Sequence, residues 1–196
     1  MFMNPTHPHD ALDEHDLMSA VATGDEPAFA RLYRTYEKRV FQYVRSLVGD
    51  SVLAEEIVGD TMIAVWRSAS TYSGSSRLST WIFGIARHKA LDAMRRTKRQ
   101  GREVDLDGAM ELPAPGDNPL ECTQRQEMCE LTQRALASLS AEHREVLRLT
   151  FYEELPYEDI SRLLSIPVNT VKTRVFYAKQ QLKRQLERLE HTEPTP

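Results

Sequence analysis

Seven side chains of mixed chemistry, Asn169, Thr170, Lys172, Thr173, Arg174, Phe176 and Lys179, fall on the outer side of one predicted helix that starts near Val168. On its other side Val171, Val175, Ala178 and Leu182 recur at i, i+4, i+7 and i+11, the spacing of a buried stripe. A helix of this kind fits the major groove of DNA, where amides and hydroxyls can read base edges and cations can hold phosphates. Just upstream, Tyr157–Leu164 predicts a shorter helix with Ile160, Leu163 and Leu164 inward. Ser165, Ile166 and Pro167 break it, because a proline disfavours helical backbone in the residue before it. From Arg162 to Arg188 the cations are Arg162, Lys172, Arg174, Lys179, Lys183, Arg184 and Arg188, against the single anion Glu187. An ordinary helical hairpin with a solvated basic face has the same pattern.

A second set of candidates lies in the first half. Trp81, His88, Asp92, Arg95 and Arg99 fall at i, i+7, i+11, i+14 and i+18 along a helix predicted to run to about Arg99, with Ser79 as its N-cap. Aromatic rings beside arginines suit single-stranded nucleic acid, whose bases stack while the cations hold the backbone. Trp81 fits a core position equally well. The polar stretch Ser73–Ser76 ahead of it reads as a loop. On the preceding helix, predicted from Ser51 to about Ser68, Glu56, Asp60, Ile63 and Arg67 share a face at i, i+4, i+7 and i+11. Two carboxylates, an isoleucine and an arginine could dock onto another protein or simply face water. Gly59 inside this helix costs about 1 kcal/mol relative to alanine, which a close approach of another backbone would explain.

The elements that must hold these residues are helical throughout, since no stretch alternates with period two. Glu26–Val48 predicts one long amphipathic helix with Phe29, Leu32, Tyr33, Tyr36, Val40, Phe41, Val44 and Leu47 buried, and Pro27 in its first turn. Leu112–Pro119 holds three prolines and a glycine, the composition of an extended linker. The expectation is an all-α chain of two small helical domains, an N-terminal bundle and a C-terminal helix-turn-helix domain, joined by an acidic Pro-rich linker. In residue numbers, 1–24 is a flexible acidic tail, 25–100 the first domain, 101–124 the linker and 125–190 the second domain.

Charge is segregated along the chain. The net charge of −4 weighs against nucleic acid only until its distribution is read. From Arg87 to Arg102 the cations are Arg87, Lys89, Arg95, Arg96, Lys98, Arg99 and Arg102, with only Asp92 opposed. Residues 103–130 are acidic apart from Arg125, and the first 26 residues hold no cation. The local basic islands, and not the overall balance, would meet phosphate. Two cysteines make no disulfide framework. Cys122 and Cys129, like His7, His9 and His15, are too sparse for a convincing metal site. No apolar run reaches the roughly 18 residues needed to cross a bilayer, and the cation-free start lacks a secretory signal's positive end. We expect a soluble intracellular protein with no cofactor and no small-molecule substrate. No nucleophile-and-base pair, phosphate loop or catalytic carboxylate pair suggests an enzyme.

Taken in order, four segments carry a resemblance. They are Ala54–Trp66 (AEEIVGDTMIAVW), Leu78–Arg96 (LSTWIFGIARHKALDAMRR), Leu139–Leu149 (LSAEHREVLRL) and the helix-turn-helix. Over roughly Asp25–Arg188 the chain resembles the extracytoplasmic-function sigma factors of bacterial RNA polymerase. That resemblance implies that Glu56, Asp60 and Ile63 bind core RNA polymerase. It assigns Ser75, Ser76, Arg77, Thr80, Trp81, His88, Lys89, Asp92, Arg95 and Arg96 to the minus-ten promoter element, melted and read as single strand. Asn169, Thr170, Lys172, Thr173, Arg174, Phe176 and Lys179 would read the minus-thirty-five element as duplex. It further implies a cytoplasmic protein held inactive by an anti-sigma partner, in some members at the inner membrane, and a linker that threads into the polymerase channels. Gly59 stands where that family commonly has glutamine, and His88 where it commonly has asparagine.

Two other classes fit parts of the sequence. A conventional helix-turn-helix regulator would bind duplex DNA alone and need no docking face at Glu56 and Asp60. A protein-binding adaptor would show no salt-sensitive DNA affinity.

Overall fold

The computed structural model describes residues 8–99 and 131–192. Side-chain environments are described for residues 14–99 and 131–189. The segment 101–124 read as a linker, with Cys122, lies outside the described residues, as do Cys129, His7 and the side chain of His9. All regular elements among the described residues are helical: α1 (Pro8–Ala22), α2 (Glu26–Val48), α3 (Ser51–Ser68), a 3-10 turn (Ala69–Thr71) and α4 (Leu78–Arg99). They continue with α5 (residues 131–137), α6 (Ala141–Phe151), α7 (Tyr157–Leu164) and α8 (Val168–Thr192). The chain divides into two compact units, one built on α1 to α4 and one on α5 to α8, with residues 45–50 grouped with the second.

In the first unit α2 begins where the Asp25 carboxylate accepts the N–H of Ala28 at 3.0 Å, a side-chain N-cap. Leu32, Tyr36, Val40, Tyr43, Val44 and Val48 are its buried residues. Phe29, Tyr33, Phe41 and Leu47, expected in the stripe, are only half-buried. α2 meets α3 through Phe29 against Trp66, ring centroids 4.8 Å apart, and meets α4 through Tyr43 edge-on to Phe83 at 5.2 Å. Both are the edge-to-face packing that aromatic quadrupoles favour. α3 lies along α4 and buries Ala54, Ile57, Val58, Thr61, Met62 and Val65. The Thr61 hydroxyl is satisfied inside by the Ile57 carbonyl at 2.7 Å.

Within the stretch expected to be a tail, Pro8–Ala22 is helical. α1 packs against the 3-10 turn and α3, with Met18 and Val21 each 2% exposed. Glu14, Leu17, Met18 and Val21 fall at i, i+3, i+4 and i+7, a stripe too short to stand out within an acidic stretch.

Gly59 is also not what the sequence reading offered. Apart from Gly59 itself, its two chain neighbours and the nearby backbone of its own helix, no heavy atom lies within 4 Å of where a β-carbon would sit, so nothing else approaches it closely. Gly59→Ala is therefore expected to stabilise the first unit by about 1 kcal/mol through backbone entropy alone. Thermal unfolding should register this as a rise of several degrees, and a fall would mean that the added methyl is not free.

In the second unit α6 starts at Ser140, whose hydroxyl accepts the His143 N–H at 3.3 Å. α7 ends with Ser165 in the left-handed conformation, φ 56°, and the Ser161 hydroxyl holds the Ile166 carbonyl at 2.6 Å. That closes the turn into α8, whose Val171, Val175 and Ala178 are buried where the chain packs on α6 and α7.

Candidate nucleic-acid and protein interfaces

Building outward from the α8 core, the helical period leaves Asn169, Lys172, Thr173, Phe176 and Lys179 exposed and Thr170 and Arg174 half-buried. The Thr173 hydroxyl donates to the Asn169 carbonyl at 2.8 Å, a back-bond typical of threonine inside a helix. Arg174 is steered by Glu142 of α6, with its guanidinium 3.6 Å from the carboxylate. Three large aromatics are half in water here, Phe151, Phe176 and Tyr177, at 51%, 55% and 54%. Phe176 and Tyr177 lie 5.5 Å apart, while the Lys179 ammonium sits 4.5 Å from the Phe151 ring as a cation–π pair. Sequence reading missed Phe151 and Tyr177. A large apolar residue next to a basic run was the only signal available. Leu182, expected to be buried, is half-buried.

On α3 the proposed docking residues stay together. Glu56, Asp60 and Arg67 are exposed, and Ile63 is 51% exposed on the same face. Asp60 also reaches the adjacent helix, where the Lys89 ammonium lies 3.7 Å from its carboxylate. The expected docking face and the expected strand-reading face therefore meet at one ion pair. With Asp60 at 62% side-chain exposure, water screens that pair and its energy is small.

The loop into α4 is compact. Gly74 takes φ +69°, a left-handed conformation that suits a residue without a β-carbon. The Tyr72 hydroxyl donates across the loop to the Ser76 carbonyl at 2.8 Å, and the Tyr72 ring lies 5.4 Å from that of Trp81. Ser75 is exposed, Ser76, Arg77 and Trp81 are half-buried, and Thr80 is 6% exposed. Thr80 thus leaves the group of exposed candidates, because α4 already begins at Leu78 and turns that side chain inward. Ser79 is likewise within the first turn and not its N-cap. The Leu78 N–H is instead bonded to the carboxylate of Glu14, from α1.

Further along α4, Asp92 sits between His88 and Arg95. Its carboxylate is 3.3 Å from the His88 imidazole and 2.9 Å from the Arg95 guanidinium. His88 is 76% exposed and Arg95 65% exposed by side chain, so the trio forms an ordered polar ridge with Arg96 exposed next to it. Such a ridge offers both donors and an acceptor to nucleic acid. A separate groove between α2 and α3 is lined by Tyr33, Glu37, Lys38, Phe41, Glu55 and Val58. There burial first, and the Glu37 carboxylate that accepts the Tyr33 hydroxyl second, hold the phenol pKa above its ordinary value.

Comparison with known proteins places both units. Residues 32–100 match the Sigma-70 region 2 family and residues 129–182 match the Sigma-70, region 4 family. The chain is 27% identical over 174 residues to the ECF RNA polymerase sigma factor SigW of Bacillus subtilis (strain 168), covering 85% of this chain and 92% of that protein. It is 30% identical over 162 residues to the ECF RNA polymerase sigma factor SigK of Mycobacterium sp. (strain KMS), covering 81% and 83%. Among solved structures, the sigma factor RpoE in complex with the anti-sigma factor NepR from Bartonella quintana aligns with TM-score 0.65 and 25% identity, covering 81% of this chain and 96% of that one. CnrH in complex with the cytosolic domain of CnrY aligns at TM-score 0.63 and 21% identity, over 89% and 97%, a likeness of fold.

Proposed function

This chain belongs to the ECF family of RNA polymerase sigma factors, alternative sigma factors that direct transcription initiation, and we propose how its residues divide that work. Glu56, Asp60 and Ile63 on α3 dock the chain onto core RNA polymerase. Ser75, Ser76, Arg77, Trp81, His88, Lys89, Asp92, Arg95 and Arg96 receive the opened non-template strand of the minus-ten element. Asn169, Thr170, Lys172, Thr173, Arg174, Phe176 and Lys179 meet the minus-thirty-five element in the major groove. The chain itself performs no bond chemistry in this scheme. It brings the polymerase to a start site and captures a strand.

The observation that carries the docking assignment is Ile63. A branched aliphatic side chain is 51% exposed beside Glu56 and Asp60, on a helix whose other face is core. Such an apolar centre with a charged rim is how protein interfaces are built. A conventional duplex-binding regulator has no use for it. An anti-sigma protein completes the scheme as the partner that holds the chain inactive, by extension from RpoE, whose structure is of a complex with one. We place the protein in the cytoplasm with its polymerase, and no helix among the described residues is long and apolar enough to cross a membrane.

The test is run-off transcription with purified core polymerase on a pool of host promoters. Wild type should yield specific transcripts, and Asp60→Ala should reduce them about tenfold at limiting sigma concentration, the loss of one substantial interface contact. A footprint on duplex DNA without polymerase, and no specific transcript with it, would remove the docking and strand-capture assignments together.

A further inference from the structure

One side chain at the loop that leads into α4 comes from far away in the sequence. Glu14 of α1 accepts the backbone N–H of Leu78, the first residue of α4, at 3.1 Å across 64 residues. The first N–H groups of a helix have no partner within it and carry partial positive charge, so a carboxylate there meets both needs. Leu78 is 1% exposed, which leaves little room for water to substitute. At the other end of the same loop, α1 packs against the 3-10 turn Ala69–Thr71. Residues 72–77 are therefore held at both ends by α1, and braced within by the Tyr72 hydroxyl on Ser76 and the Tyr72 ring beside Trp81.

We infer that Glu14 is a positioning residue for capture of the opened promoter strand: by capping α4 from α1 it fixes where that helix starts, and with it the placement of Ser75, Ser76, Arg77 and Trp81. The inference rests on the assignment of those residues to the strand. It goes beyond that assignment because Glu14 lies ahead of residues 32–100, the segment that matches region 2. Without the carboxylate the Leu78 N–H is buried and unpaired, so the first turn of α4 frays and the loop loses its fixed end.

The experiment assembles the full-length chain with core polymerase and titrates a fluorescein-labelled single-stranded DNA, the non-template strand of a promoter recovered by run-off transcription. Glu14→Ala is expected to weaken this affinity about fivefold, the scale of a lost helix cap. Affinity for core polymerase and for minus-thirty-five duplex should not move. Glu14→Gln, whose amide oxygen can still accept from Leu78, should recover most of the loss. Val65→Ala, at a fully buried position of α3, reports what lost stability alone does. Unchanged strand affinity in Glu14→Ala, or an equal loss in Val65→Ala, overturns the inference. Trp81→Ala separates the two levels. If Trp81→Ala loses strand affinity and Glu14→Ala does not, only the role of Glu14 falls; if Trp81→Ala loses none, the assignment of Trp81 to the strand falls as well, and strand capture rests on the α4 ridge.

Discussion

Arg148→Ala is expected to destabilise the second unit by about 3–5 kcal/mol, the range found when one partner of a buried ion pair is removed. Arg148 and Glu153 are both 2% exposed by side chain, with the guanidinium 3.7 Å from the carboxylate. The guanidinium also lies 5.6 Å from the Tyr152 ring. Around them the chain leaves α6 by a tight route. The Arg148 carbonyl accepts both the Tyr152 and Glu153 N–H groups, Glu154 takes φ 50°, and the Leu155 N–H returns to the Leu149 carbonyl at 3.0 Å. This turn delivers α7, and α7 sets the angle at which α8 presents its outer face. Truncating Arg148 removes one charge of this buried pair beside the Glu153 carboxylate, where the chain turns through Glu154 at φ 50°. Because a small domain has only about 5–15 kcal/mol of stability in total, the unit carrying α5 to α8 should melt about 12 °C or more below wild type. Far-UV circular dichroism against temperature measures this. Arg148→Met with Glu153→Leu removes both charges and should retain most of the stability, since a well-packed apolar pair often equals a buried ionic one. A single variant that melts within 2–3 °C of wild type would mean that the pair does not hold the turn.

Such a buried pair shows why some of this molecule was legible in its sequence and some was not. Helical periodicity reports which side chains face inward on one element, so the α8 stripe Val171, Val175 and Ala178 and the outward set around Lys172 were readable from spacing. The break at Ser165–Pro167 was readable because proline acts on its immediate neighbour. Arg148 carries no such local sign. A cation inside an amphipathic helix is expected on the surface, and only the return of the chain through Glu153 encloses it. The α4 start was misplaced for a similar reason. Serine at 79 is a good cap by local rules, but a carboxylate 64 residues upstream caps Leu78 instead, and no window of sequence contains both. Thr80, picked out as a candidate, is buried in that first turn. Asp60 and Lys89 were each picked out on their own helices, while their meeting depends on how α3 lies along α4. Tyr43 escaped the α2 stripe because its burial comes from Phe83 on another helix.

Trp81→Ala is expected to weaken binding of the opened strand by about 1–3 kcal/mol, a factor of roughly 5 to 160, because base–aromatic stacking has that strength. Sequence left Trp81 divided between core and ligand, and its surroundings define how to decide. The indole is half-buried and shares a ring contact with Tyr72, so one face is committed to bracing the loop. A core role predicts that alanine lowers the melting temperature strongly and that strand affinity, measured well below it, changes little. A stacking role predicts the reverse weighting. Trp81→Phe, which keeps a smaller ring, should then recover most of the affinity. Duplex binding through α8 should be indifferent to either change. The chain has two tryptophans, and Trp66 is occupied edge-on by Phe29 at 4.8 Å, so the Trp66→Phe variant isolates the Trp81 emission. In that background the holoenzyme, after subtraction of the emission of core polymerase titrated in the same way, should show quenching on addition of the non-template strand and none on addition of minus-thirty-five duplex. Emission that ignores the single strand, with strand affinity intact in Trp81→Ala, would return this residue to the core and move strand capture to the Asp92–Arg95 ridge of α4.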